Sequence, residues 1–145
     1  MFRRILIAWD GSKPALHALD IAIELGRRFE ADLLAVSVAV EPIHAETHAD
    51  RQESIDATRA HLEATLDQLR DRADRVGVPL KHVIVVGADP SREILRFAHE
   101  HAADLLIVGR HSTGRAGRLL LHGASEHIAA AATVPVLIVS EQNSA

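Results

Sequence analysis

Apolar residues along this chain follow two alternating rhythms. Near-continuous runs at 4–9 (RILIAW), 32–40 (DLLAVSVAV), 80–86 (LKHVIVV), 104–108 (DLLIV) and 134–139 (VPVLIV) predict short strands buried on both faces. Between them the apolar positions recur at helical spacing. After the first run, Ser12 offers an N-cap and Pro14 sits in the first turn, where its missing N–H costs nothing. The helix that follows would put Ala15, Leu19, Ala22, Ile23 and Gly26 on one face. Ile55, Leu62, Leu66, Leu69, Ala73 and Val76 predict one long amphipathic helix over about residues 49–76, closed by Gly77 and Pro79. Asp89-Pro90 is a capping residue followed by proline, and it predicts a helix carrying Ile94, Phe97 and Ala98 inward. A last helix is expected over about residues 120–132.

The resulting order, β-α-β-α-β-α-β-α-β, implies an α/β fold: a doubly wound parallel sheet with helices on both faces. A chain of 145 residues without repeats or a linker reads as one domain spanning residues 1–145, able to bury about 70% of its unfolded surface. Aromatic residues are only 3% of the chain, so the core must be aliphatic and stacking platforms for single-stranded nucleic acid are lacking. The net charge of −4 argues against nucleic acid as a partner. Without cysteine there is no disulfide, thiol redox or thiolate metal chemistry. The apolar run at the N-terminus is too short for a signal-peptide core, and no run reaches membrane-spanning length, so a cytoplasmic protein without membrane association is expected.

In such sheets ligands bind beyond the carboxyl ends of the strands, where strand order reverses. Two segments there carry suitable chemistry. AWDGS at 8–12 joins a carboxylate, a glycine and a helix start; GRHSTGRAGR at 109–118 joins glycines and arginines ahead of the last helix. Helix N-termini and bare backbone N–H groups attract phosphate. Gly109 and Gly114 have the spacing of a Walker A loop, but Arg115-Ala116 follows in place of Lys-Ser/Thr, so that motif is rejected. His44 and His48 lie four apart, near Glu46 and Asp50, yet a solvated loop suits HAETHAD better than a zinc site needing three or four convergent ligands; no metal is assigned. No serine has a nucleophile-elbow context and no catalytic pair emerges. Asp10 is either a ligand contact or a turn-maker, and Trp9 reads as a packing residue at the strand end.

ILIAWDGS at 5–12, ADPSREIL at 88–95, ADLLIVGRH at 103–111, LLLHGASEHI at 119–128 and VPVLIV at 134–139 together resemble the universal stress protein family, in order and along nearly the whole chain. The resemblance implies a Rossmann-like five-stranded sheet of order 3-2-1-4-5. It also implies homodimers joined by the last strand, here Val134, Val136, Leu137, Ile138 and Val139, and cytoplasmic stress-response roles. ATP-binding members share a loop G-x-x-G-(nine residues)-G-S/T. Aligned on it, this chain has Gly109 at the first glycine, Ser112 at the second, His122 at the third and Gly123 at the hydroxyl position. Three of these four positions depart from the pattern. Asp10 matches the acidic residue near base and ribose, and Val38 a residue lining the adenine side. Ala8, Arg110, His111, Arg115 and Ala124 complete the candidate nucleotide set.

At His122 an imidazole would project where bare backbone should face phosphate, and Gly123 removes a hydroxyl donor. Losing two or three phosphate hydrogen bonds at about 1.5–3 kcal/mol each would weaken binding by orders of magnitude. A protonated His122 could instead join Arg110 and Arg115 as an anion contact. The sequence therefore points to a stress-response regulatory module acting through dimerisation and contacts with a regulatory protein partner, its nucleotide binding weak or lost. The alternative is a switch binding ATP with Mg, or another adenine nucleotide, through Asp10 and the loop after strand four. An enzyme acting on a nucleotide, at most a weak ATPase, is the third reading.

Overall fold

A computed structural model of the chain describes residues 1–42, 44, 46–110 and 123–140. Five aliphatic runs form one parallel sheet: β1 (Arg4–Ala8), β2 (Asp32–Val40), β3 (Leu80–Gly87), β4 (Leu105–Arg110) and β5 (Val136–Ser140), in the order β3-β2-β1-β4-β5. Among the described residues five helices connect them: α1 (Lys13–Phe29), α2 (His48–Ala64), α3 (Leu66–Arg75), α4 (Pro90–Glu100) and α5 (Ala124–Ala131). The architecture expected from the alternating rhythm is the one observed. Registers such as Ile7 opposite both Ala35 and Ile107 place β1 at the centre, where its residues 5–8 are all buried.

The core lies on both faces of the sheet. On one face Ile5, Ile7 and Trp9 meet Ala15, Leu19, Ala22 and Ile23 of α1 and Leu69 and Ala73 of α3. On the other, Leu6, Ala8, Val36 and Val38 meet Ile94, Phe97 and Ala98 of α4 and Ala124 and Ile128 of α5. Alternate residues of one strand thus feed two separate cores, which is why the strands read as unbroken apolar runs. Ser12 caps α1, its hydroxyl accepting the Ala15 N–H at 3.3 Å, and Asp89 caps α4 through the Ser91 N–H.

Several boundaries differ from expectation. The helix anticipated over 49–76 is two helices, parted at Thr65. The Thr65 hydroxyl donates to the Leu62 carbonyl at 2.6 Å, a local bond that competes with the helical ladder, and accepts the Trp9 indole N–H at 2.8 Å. Val76, assigned to the apolar stripe, is 48% exposed beyond the end of α3. The strand expected at 104–108 runs to Arg110, so Gly109 and Arg110 are strand residues paired with Val139 and Ser140. The last strand starts at Val136, after Pro135 has given its carbonyl to the Leu106 N–H. Of the helix expected over 120–132, the described part is α5, and residues 120–122 lie outside the described residues.

Candidate functional site

Strand order reverses between β1 and β4, so the carboxyl ends of these two strands flank the crevice where a ligand would sit. β1 leads into Asp10, whose side chain is nearly buried; its Oδ1 accepts the Ser12 N–H at 3.0 Å and fixes the turn into α1. The turn-making role of Asp10 is therefore present, beside any ligand role. Trp9 is fully buried and held by Thr65, in keeping with a packing residue. Ala8 and Val38 also lie in the core under α4 and α5, with at most 1% of their surface exposed. Neither residue therefore presents appreciable surface to the crevice.

β4 supplies the other flank. A Cβ on Gly109 would stand 2.6 Å from the Pro14 carbonyl carbon, so the bare residue is needed for α1 to pack its first turn against β4. This is a structural reason for the glycine, independent of any phosphate. Arg110 is exposed, and its Nε lies 3.4 Å from Glu126 Oε1 in the first turn of α5. The Ser125 hydroxyl donates to the other Glu126 oxygen at 2.9 Å; this bond first, then the Glu126 N–H and Arg110, holds that carboxyl below the usual range. Gly123 is the N-cap of α5, with φ of 74° and no side-chain capping bond. Ala124 behind it is buried against the sheet. The candidates His111, Ser112, Arg115 and His122 lie outside the described residues.

Sequence reasoning missed two features at this end. Glu126 joins β4 to α5, and a cleft of about 180 Å³ opens between the starts of α4 and α5, with Asp89, Ser91, Gly123 and His127 in its walls. The Asp89 carboxyl is lowered chiefly by the Ser91 hydroxyl, which donates to it at 2.8 Å. The signal was present in part, since the helix after β3 must begin at the carboxyl end of the sheet and so beside the helix after β4.

Of the strand proposed for pairing, β5 is an edge strand. Leu137 is 37% exposed, whereas Val136 and Ile138 are half-buried and Val139 is buried against the α1 side of the core. Val134 precedes the strand and packs on the other core. Thr47 caps α2 and His48 is its first residue, so His44 precedes the helix and the two imidazoles do not share a helical face. Among the described residues no group of three or more His, Asp or Glu could hold a metal ion, and no helix is long and apolar enough to cross a membrane.

The comparisons with known proteins agree with this geometry. A universal stress protein of Thermus aquaticus is 31% identical over 139 residues, 96% of this chain and 99% of that one. The crystal structure of a universal stress protein family member from Burkholderia pseudomallei matches with a TM-score of 0.76 at 30% identity, covering 95% of this chain and 96% of the other. A universal stress protein crystallised in complex with cAMP matches at 0.74 and 27% identity, over 97% of this chain and 99% of that chain. The sequence model of the universal stress protein family spans residues 1–140, and with sheet order and whole-length similarity in accord, the chain belongs to that family.

Proposed function

We propose that this universal stress protein is a cytoplasmic stress-response module that works as a homodimer and through contacts with a regulatory partner, its grip on a triphosphate weak. The observation that carries this reading is the start of α5. Gly123 occupies the position where the ATP-binding pattern has a hydroxyl residue, and it opens the helix in a left-handed conformation with no side-chain cap. A serine there would be strained at φ of 74°, so the helix start is built around the missing hydroxyl. A neutral imidazole at His122, where the pattern has glycine, acts in the same direction.

Calorimetry with ATP and Mg tests it. Wild type should bind no tighter than millimolar, while His122→Gly should bind about tenfold tighter or better, having bared a backbone donor worth about 1.5 kcal/mol or more. Micromolar binding by wild type would overturn the proposal.

The second reading, an adenine-nucleotide switch, draws support from two features. Asp10 stands at the β1 end of the crevice and exposed Arg110 at the β4 end, and a relative 27% identical was crystallised with cAMP. Under this reading, cAMP or ATP would perturb the fluorescence of Trp9, the neighbour of Asp10, and Asp10→Ala would remove the effect. ATPase activity is assigned to neither reading.

A further inference from the structure

The amino ends of the strands, opposite the crevice, carry a second concavity of about 440 Å³, within the range of small-molecule pockets. Its walls are aliphatic: Leu6 and Leu34 on the sheet, Val83 on β3 and Ala103 after α4. β3 is an edge strand, and Lys81, Val83 and Val85 share one face of it. Val85 packs on the core beneath α4 and α5, but towards the amino end Lys81 and Val83 are exposed, Val83 to 38%. The helical layer stops short of this corner and leaves Val83 exposed and Leu34 half-buried, over the buried Leu6.

The rim is charged. Lys81 makes no ion pair among the described residues, and Arg4 uses one guanidinium N–H to bond the His101 carbonyl at 3.0 Å, leaving its other donors available. One carboxylate, Asp32, shares the rim and pairs with neither cation among the described residues. The His101 ring stacks on Phe97 at 3.8 Å, and no Phe, Trp or Tyr lines the pocket, so it offers a planar ligand no free aromatic face.

We propose that this groove binds a small aliphatic carboxylate, its chain on Leu6, Leu34 and Val83 and its head group held by Lys81 and Arg4. The bound species is a free amphiphile of about eight to ten carbons, suited in size to a pocket of this class. The site is separate from the nucleotide crevice, since the two lie at opposite ends of the same strands.

Titration of the intact protein with decanoate, followed by calorimetry and amide NMR shifts, tests the site. Saturable binding is expected, with shifts centred on residues 4–6, 32–34 and 81–83. Lys81→Glu should weaken it about tenfold and Asp32→Asn tighten it about twofold, the scale of exposed charge pairs. Val83→Trp should abolish it by filling the groove. Decylamine should bind weaker than decanoate, and ATP should not compete. The proposal is overturned by absence of saturation, by equal binding of decylamine, or by indifference to both charge substitutions. A Val83→Trp variant that turns a dimer into a monomer in light scattering would also overturn it, by assigning the groove to a second copy of the chain.

Discussion

Ser37 sits with no exposed surface in the middle of β2, and its hydroxyl makes two bonds that order its surroundings. It donates to the Trp9 carbonyl at 2.6 Å, so the His82 Nε2 at 2.8 Å must be the donor to its oxygen. Burial first, then the positive charge of Arg70, pushes the His82 pKa from 6.5 down to about 4. In the fold His82 is therefore neutral where the unfolded chain has already taken up a proton. The corresponding stability is fully present above pH 6.5 and is lost as pH falls from 6.5 to about 4. His82→Gln, which keeps a donor without a titrating group, should flatten the fall in Tm across that window relative to wild type. Identical slopes would refute this role. The pair was invisible in the sequence because 45 residues separate its members, and only the β2–β3 register brings them together. Asp10 was legible because its turn is local.

At the scale of elements, strands were easier to anticipate than helix continuity. A strand buried on both faces announces itself by composition, and β2 runs over the nine residues expected. The break at Thr65 left no mark on periodicity, since Leu62 and Leu69 are both buried on either side of it. The Thr65 hydroxyl that competes with the ladder there also accepts the indole N–H of Trp9, 56 residues away. Thr65→Val keeps the shape and removes the acceptor, leaving a buried indole N–H unpaired at a cost of about 1–3 kcal/mol. Thermal unfolding should show a Tm lower by about 3 °C or more. The emission of Trp9, the single tryptophan, should shift with it. An unchanged Tm would mean that the hydroxyl contributes nothing to the junction. Gly109 hid a second role for a related reason, since the packing of α1 on β4, which needs its bareness, is a contact between distant segments.

For the whole molecule, the sheet has two edges, β3 and β5, and each shows apolar side chains: Val83 and Val86 on one, Leu137 on the other. An unprotected edge invites pairing, and the proposed dimer would cover the β5 edge. Leu137→Glu leaves the buried Val139 in place and puts a charge on the exposed position. Light scattering should then report a dimer for wild type and a monomer for the variant, whereas a variant that stays dimeric would move the proposed interface off this strand. The parallel sheet was legible from the alternation of elements, its strand order only through the family resemblance; which side chains of β5 remain available was not, because burial depends on α1 and α5 together. The way β4 ends and α5 begins has a consequence for how such a scaffold can be varied. Arg110 is paired with Ser140 of β5, and Ala124 and Ile128 are buried against the sheet, so both anchors are set by packing that lies outside the sequence between them. Lengthening such a span twofold adds only about 0.6 kcal/mol of closure entropy. Sequence placed between these anchors is therefore exchangeable like a cartridge at small cost to the chassis.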